Sequence, residues 1–435
     1  MKATKNENLV GIVSAVLLKA CAAACSFLLF SLASNTRSGD EFGTFAIILS
    51  AASMMMVLAA FGQEMMVIRI WNEHGASNNS SMVKGGILSG FFTCLFGGAL
   101  AGIVLGTYFG VSESAGLGVA VGLFVASLTL LAFTTHIGRV VFGVLVGDGN
   151  RDILVLAPVI IVLGLSLFFL GDFSNTSILF IMAGSNFVGV IGLLTAVYFR
   201  IKRDFPAVLE AKAGYDFKKW RSTSVSLWGA SLLESSNQYL DVVLLGILMN
   251  PMAAGIYFIA TRLANVFLTA ASAMHAFGSK KIPHNYYHKL ENEMAQTLKT
   301  MAFMTGLIVL GGLLCVAVLG EWALGIFGAE YVEFYGVLMV LCLGTASVTA
   351  IGASPVILMV TGYEKNYLKA LAISVATRLV GFVVLVPIWG IYGAAIGATF
   401  SLVLMALLLA TSAKRLTGLD GTVLRFLTAT PVVRS

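Results

Sequence analysis

Apolar stretches recur along this whole chain, each long enough to cross a bilayer as a helix, and they restrict its fold more than any other feature. A helix needs about 20 mainly apolar residues to cross a hydrocarbon core about 30 Å thick. Such stretches occupy residues 9–34, 43–66, 85–109, 116–137, 153–171, 177–199, 224–249, 253–277, 298–320, 334–360, 367–387 and 391–413. Only 11% of the residues are charged, whereas soluble domains carry about 25%. We therefore predict an all-α integral membrane protein with about twelve transmembrane helices.

The first apolar stretch, 9–34, could be taken for a signal peptide because two lysines precede it. It is too long for the apolar region of a signal peptide, and it carries Lys19 near its middle. We therefore predict that it is retained as the first span.

Lysine and arginine are concentrated in alternate connections between the spans. If the N-terminus is cytoplasmic, the inside segments hold 23 of the 27 basic residues and the outside segments hold only Arg37. The other three, Lys19, Arg262 and Arg378, lie within spans. The outside loops carry acidic residues instead: Asp172, Glu321, Glu330 and Glu333. By the positive-inside rule, both termini are predicted to face the cytoplasm.

A basic connection near the middle divides the chain into halves of six spans. We predict an N-terminal lobe at 1–199, a cytoplasmic basic amphipathic linker at 200–222, a C-terminal lobe at 223–413 and a cytoplasmic tail at 414–435. The linker combines seven basic residues with apolar ones, which is typical of a segment on anionic lipid headgroups, although the charge bias alone also explains it. Matching glycine and aromatic residues at 42–47 and 254–259 favour an internal repeat.

Several short motifs in the second half resemble those of one transporter family. They are QYLDVVLLG at 238–246, AGIY at 254–257, ATRL at 260–263, FGAEY at 327–331, TGYEK at 361–365 and PIWGIYGAA at 387–395. In this order and spacing the chain resembles the Wzx-type polysaccharide flippases, a branch of the multidrug/oligosaccharidyl-lipid/polysaccharide exporter (MOP) superfamily. The resemblance extends to the number and order of the spans.

The resemblance implies two six-helix lobes around a central cavity that opens alternately to either side of the bacterial cytoplasmic membrane. It implies a cargo, an undecaprenyl-diphosphate-linked oligosaccharide unit moved to the outer leaflet for O-antigen, capsule or exopolysaccharide assembly. Membrane lipid is a further partner, and a polysaccharide polymerase and glycosyltransferases are candidate ones. Nucleic acid is not expected, because the basic residues lie between apolar stretches rather than on one face of a domain.

Three cations inside spans are candidates for binding the diphosphate: Lys19, Arg378 and Arg262. At 1.5 Å per helical residue, each lies about 15 Å into the membrane, and such charges are costly unless they are paired or solvated. Arginine forks match diphosphate oxygens in geometry. Snorkelling or bonding to a neighbouring helix is the alternative role for Lys19 and Arg378. For Arg262 a pair with Asp241 is expected, because the two lie at equal distances from Pro251 across a hairpin.

A second candidate group lies on the seventh span, where Glu234, Gln238 and Asp241 share one helix face. This face is expected to line a cavity or a partner helix, and it either binds a coupling H⁺ or Na⁺ or only satisfies Arg262. Gln63 and Glu64 end the second span and are expected to line the cavity mouth.

Other functions find less support in the sequence. It contains no phosphate-binding Gly-x-x-x-x-Gly-Lys-[Ser/Thr] motif and no metal-ligand spacing, so we predict neither a metal site nor a resident cofactor. A cation-coupled multidrug exporter of the same superfamily is one alternative, but it would be expected to carry an acid where the first span carries Lys19. A membrane-embedded polymerase or glycosyltransferase is another, but the short outside loops leave little room for catalytic residues, and we predict no enzyme.

Overall fold

The computed structural model describes residues 2–75, 79–166 and 173–426, and all its regular elements are helices. They form two compact units, residues 1–240 and 241–435. The division falls inside a continuous helix, after Leu240, and not within the basic connection at 200–222. The predicted division of the chain into lobes, linker and tail therefore stays a prediction.

The first unit contains nine complete helices within the described ranges and most of a tenth. They are α1 (Lys2–Asn35), α2 (Gly39–Ala60), α3 (Gln63–Gly75), α4 (Ser80–Ser112), α5 (Ala115–Phe142), α6 (Val144–Gly149), α7 (Ala157–Leu165), α8 (Asn175–Asp204), α9 (Pro206–Glu210) and α10 (Phe217–Leu248). A π-helical turn, Asn150–Leu154, precedes α7. Serine side chains accept a backbone N–H at the start of α2, α5 and α8, which fixes where these helices begin.

The second unit begins within α10 and continues to the end of the described chain. Its further helices are α11 (Pro251–Ala264), α12 (Val266–Tyr287), α13 (Glu291–Gly325), α14 (Ala329–Val332), α15 (Tyr335–Ala350), α16 (Ser354–Val360) and α17 (Glu364–Thr417). The segment after α17 does not project freely, because the amide of Ala353 donates a 2.9 Å hydrogen bond to the carbonyl of Gly421. The part of the predicted tail from 427 onward lies outside the described residues.

Glycine allows α4 and α5 to approach closely inside the first unit. A Cβ atom at Gly106 would lie 2.6 Å from the carbonyl oxygen of Gly118, and one at Gly102 would lie 2.4 Å from that of Gly122. Backbones can come this close only where side chains are absent, as at many helix contacts in membrane proteins. The buried core around α5 also includes apolar residues of α4 and α8.

Eight helices in the described part of the chain are long and apolar enough to cross a membrane, or nine if the bent pair α15 and α16 is one span. The predicted count of twelve differs for three reasons. Helix α17 contains both of the last two predicted spans, joined across a non-helical residue, Gly390. Helix α10 is not among the apolar helices, since its run from Glu234 to Gln238 is polar. The predicted span at 153–171 and the outside acid Asp172 extend into residues outside the described ranges.

The basic connection at 200–222 is built from parts of three helices rather than from one amphipathic segment. Helix α8 continues to Asp204, the short α9 follows, and α10 starts at Phe217. The connection is fastened to the start of α4, where Ser81 donates a 2.7 Å hydrogen bond to the carbonyl of Lys212 and Lys84 donates one of 2.9 Å to that of Ala211. These bonds hold it against the first unit, and its contact with lipid headgroups stays a prediction.

Candidate functional site

Lys19 forms ion pairs with two aspartates that follow α5 in the chain. Its ammonium nitrogen lies 2.8 Å from a carboxylate oxygen of Asp148 and 3.1 Å from one of Asp152. Both aspartates belong to the connection at 138–152, which the charge pattern places on the cytoplasmic side. These contacts hold Lys19 beside this connection, and its mid-depth position in the membrane stays a prediction. Its side chain is still 47% exposed.

Helix α5 supplies the second cation of this cluster. Arg139 donates through Nε to the other oxygen of Asp148 and through Nη1 to Nε2 of His136, at 2.9 Å. The ring of His136 in turn donates through Nδ1 to the carbonyl of Ala132, at 2.7 Å, which is consistent with a neutral imidazole. Burial alone would raise the pKa of the Asp148 carboxyl, but the hydrogen bonds from Arg139 and Lys19 hold it below its usual value.

The break between α2 and α3 packs against α10 within the first unit. Gly62 has a φ of +73°, and a Cβ atom there would lie 2.7 Å from the carbonyl oxygen of Ser224. After the break, Gln63 donates a 3.0 Å hydrogen bond to Ser224, and Ser231 donates one of 3.4 Å to Glu64. Gln63 is half-buried and Glu64 is buried. These two residues thus contact α10 here, and their role at a cavity mouth stays a prediction.

A buried polar cluster lies in the second unit, where α10, α11 and α17 meet. Tyr257 donates a 2.9 Å hydrogen bond to Oδ2 of Asp241, and Nη1 of Arg378 lies 3.5 Å from the same oxygen. Arg378 also donates through Nε to the hydroxyl of Ser401, at 3.0 Å. Asp241 and Arg378 are 6% and 3% exposed, so the charges are neutralised inside the unit rather than in solvent.

The ion pair of Asp241 differs from the predicted one. Its cation is Arg378 of α17, and not Arg262 across the hairpin. The guanidinium of Arg262 lies 4.7 Å from the centre of the Phe258 ring, one helical turn earlier on its own helix. Sequence distance from Pro251 correctly relates depths in a straight hairpin, but it carries no information on which way each side chain points.

The polar face predicted on α10 is divided between two environments. Glu234 and Gln238 are exposed, whereas Asp241 is buried. Asp241 is engaged by Tyr257 and Arg378, and the predicted role of Glu234 and Gln238 at a cavity or coupling ion stays a prediction. Among the described residues, no three histidine, cysteine or acidic side chains are grouped so that they could hold a metal ion.

Solved membrane transporters are similar to this chain over almost its whole length. An inward-facing multidrug resistance transporter of the MATE family, in the MOP superfamily, superposes with a TM-score of 0.72 at 11% identity, covering 89% of this chain and 94% of that one. The lipid II flippase MurJ, in an inward closed conformation, superposes with a TM-score of 0.70 at 12% identity, covering 92% of this chain and 87% of that one. A MOP superfamily transporter from Pyrococcus furiosus superposes with a TM-score of 0.59 at 13% identity, covering 93% of this chain and 94% of that one. The chain has the fold of these transporters.

This fold is that of a multi-pass membrane protein, as the apolar stretches predicted. No family model and no curated protein matches the sequence. The fold is shared by a multidrug resistance transporter and a lipid II flippase, so the fold by itself does not specify an activity.

Three residues of these clusters were missed by reasoning from sequence: Asp148, Asp152 and Tyr257. The first two lie in a connection that was considered only for its basic residues, although two acids beside Arg139 and Arg151 indicated a local ion-pair network. Tyr257 lies in the AGIY motif, where its ring was noted but not its hydroxyl group.

Proposed function

We propose that this protein is a transporter that moves a polyprenyl-diphosphate-linked oligosaccharide from the cytoplasmic to the outer leaflet of the bacterial cytoplasmic membrane. The observation that carries the proposal is the side chain of Lys19, which is 47% exposed although it pairs with two aspartates, in a fold shared with a lipid II flippase. A diphosphate is an anion with several acceptor oxygens, and an accessible cation is the group that would attract it.

The charge of the cluster around Lys19 supports an anionic cargo rather than a cationic drug. Three cations, Lys19, Arg139 and Arg151, face two carboxylates, Asp148 and Asp152, which leaves a net charge of +1. Asp148 is 2% exposed and bound by two of the cations, so it does not offer a free carboxylate to an organic cation. The sequence has no acidic residue between 9 and 34.

Arg378 and Arg262 are assigned secondary roles in this proposal. Arg378 is buried and bound to Asp241 and Ser401, so it would meet the diphosphate only in a conformation in which this pair opens. Arg262 is half-buried against Phe258. The exposed Glu234 and Gln238 are candidates for contacts with the sugar or with a coupling H⁺ or Na⁺.

The proposal is tested in a bacterial strain whose own polysaccharide flippase has been deleted. Expression of this protein should restore surface polysaccharide and should leave ethidium efflux unchanged. Lys19→Gln should reduce the polysaccharide several-fold at matched protein level, Lys19→Arg should retain more, and Arg69→Gln is the control, because Arg69 is an exposed cation outside the cluster. Ethidium efflux without any polysaccharide would favour the drug-exporter alternative.

A further inference from the structure

Arg37 is the one basic residue that the charge pattern places on the outer side, and its environment is unusual. It lies in the turn between α1 and α2, directly before Ser38, the residue that caps α2. All three of its guanidinium nitrogens are inaccessible to solvent and have no hydrogen-bond partner. The guanidinium lies 4.9 Å from the centre of the Phe45 ring, a contact that offsets only part of its lost hydration.

Glu41, the acid whose charge acts on this guanidinium, forms no ion pair with it. Glu41 is held by the capping box of α2, in which it accepts a 3.3 Å hydrogen bond from the amide of Ser38. Burial lowers the pKa of Arg37 to about 10, with Glu41 acting in the opposite direction, so the side chain is still a cation at neutral pH. Five donor hydrogens on a buried cation need acceptors, and the described residues supply none.

The surroundings of Arg37 favour an anion at this end of the first unit. The starts of α2 and α8 lie together, since Asn175 donates a 2.8 Å hydrogen bond to the carbonyl of Glu41. The start of α5 lies near that of α8, because a Cβ atom at Gly116 would be 3.7 Å from Thr176. Helix starts carry partial positive charge, which adds to that of Arg37. The exposed acids Asp40 and Glu41, in the first turn of α2, oppose it, and Glu41 is engaged in the capping box.

We propose that Arg37 binds a phosphate group on the outer side of the membrane. Ser38, directly after Arg37, and Asn35, two positions before it, are exposed, whereas Thr36 is buried. A rotation of the long side chain towards Asn35 and Ser38 would bring the guanidinium to the surface, where a bidentate bond to phosphate replaces the partners it lacks. The phosphate comes from the diphosphate of the arriving cargo or from the headgroup of an outer-leaflet phospholipid. The first source rests on the proposed function, and the second does not.

The test places the photoreactive residue benzoylphenylalanine at the exposed position Asn35 and uses ³²P-labelled undecaprenyl diphosphate with the full-length protein in detergent. The wild-type background should form a labelled adduct. Arg37→Gln should reduce its yield by about tenfold or more, as loss of a charge-assisted hydrogen bond implies, and Arg37→Lys should reduce it less. Arg69→Gln, which removes an exposed arginine elsewhere in the unit, should leave the yield unchanged.

Unlabelled competitors then distinguish the two sources. Undecaprenol, which has no phosphate, should not reduce the adduct. If excess phosphatidylglycerol removes it, the site takes lipid phosphates in general; if phosphatidylglycerol has no effect, the site selects the diphosphate. An adduct that survives Arg37→Gln, or that undecaprenol removes, would overturn the proposal.

Thermal unfolding tests whether Arg37 only stabilises the fold or binds phosphate. Without added lipid, Arg37→Gln should unfold at the same temperature as the wild type or higher, because it removes a buried unpaired charge. Added undecaprenyl diphosphate should raise the wild-type midpoint and not that of the variant. Binding without oligosaccharide transport would overturn only the proposed function.

Discussion

Asp241 and Arg378 form a buried ion pair, so substitution of either residue alone leaves the charge of the other buried without a partner. Their carboxylate and guanidinium are almost fully enclosed. Tyr257 donates to the same oxygen of Asp241 that Arg378 approaches, and Ser401 accepts from Nε of Arg378, whereas Oδ1 of Asp241 has no hydrogen-bond partner among the described residues. Removal of one partner leaves an uncompensated charge, which costs about 3–5 kcal/mol, whereas removal of both is often close to neutral.

We therefore predict non-additive stabilities for Asp241→Asn and Arg378→Gln. Arg378→Gln alone should lower the free energy of unfolding by about 3 kcal/mol or more, and the double variant should lose much less than the sum of the two single losses. The measurement is reversible unfolding in mixed detergent. Arg262→Gln is the matched control: in combination with Asp241→Asn, the loss in free energy of unfolding should equal the sum of the two single losses. Coupling to Arg262 in place of Arg378 would contradict the observed pair.

The pH dependence of the cluster around Lys19 follows from Asp148. Its folded-state pKa is lowered, so the pair stabilises the fold above the unfolded-state pKa of about 3.9 and loses this effect as the pH falls further, through the folded-state value. We expect the wild-type melting temperature to fall below about pH 4. Asp148→Asn should have a lower melting temperature than the wild type at neutral pH, but its melting temperature should change less with pH below about pH 4. Equal slopes for both proteins would show that Asp148 is not the titrating group.

These pairs also show where residue-level prediction from sequence stops. The presence of costly charges within apolar stretches correctly marked Lys19, Asp241 and Arg378 as residues that need partners. The partners lie 129 or more positions away along the chain, as Asp148 does from Lys19 and Arg378 from Asp241. Counting residues from the nearest turn relates neighbours in a hairpin only, and it therefore selected Arg262.

At the scale of elements, contacts between helices depend on positions where a side chain would not fit. Helices α4 and α5 meet through glycines, and the break between α2 and α3 places Gly62 against α10. The sequence located most of these helices, for example 177–199 within α8, because their apolar length is a local property. It did not locate the break at Gly62, which lies within the predicted second span at 43–66, because glycine is abundant throughout the chain and only tertiary contacts distinguish this position. The break at Gly390 does lie between the last two predicted spans, 367–387 and 391–413.

We predict that Gly106→Ala destabilises the first unit, because its new methyl group would lie 2.6 Å from a carbonyl oxygen of α5. Overpacking of this kind costs about 1–3 kcal/mol. Gly184→Ala in α8 is the control: it meets open space, and alanine is the better helix former by about 1 kcal/mol. In mixed detergent, Gly106→Ala should lower the free energy of unfolding and Gly184→Ala should raise it. Equal effects of the two variants would show that α4 and α5 lie further apart.

At the scale of the whole molecule, the charge bias predicts that both termini and the connection at 200–222 face the cytoplasm. In a variant without native cysteines, a cysteine at Lys212 should resist a membrane-impermeant maleimide in intact cells, whereas one at Glu330 should react. Lys212 lies between α9 and α10, Glu330 lies in the four-residue α14, and both are exposed outside the long apolar helices, so their reactivity reports sidedness. Labelling of Lys212→Cys in unbroken cells would reverse the predicted orientation.

The fold class of the molecule could be predicted from sequence because apolar length is sufficient to specify membrane helices. The cargo could not, since the same fold is found in a multidrug exporter and in a lipid flippase. In our proposal a few charged side chains such as Lys19 select the cargo, and their partners, such as Asp148, are visible only in three dimensions.

Transport by the purified protein tests the proposed cargo most directly. The protein is reconstituted into vesicles that contain a fluorescent undecaprenyl-diphosphate-linked oligosaccharide, and a membrane-impermeant quencher reports how fast the sugar moves between leaflets. We predict rapid exchange with the wild type, several-fold slower exchange with Lys19→Gln, and no accelerated movement of ethidium. Exchange no faster than in protein-free vesicles, together with rapid movement of ethidium, would contradict the assignment of a lipid-linked cargo.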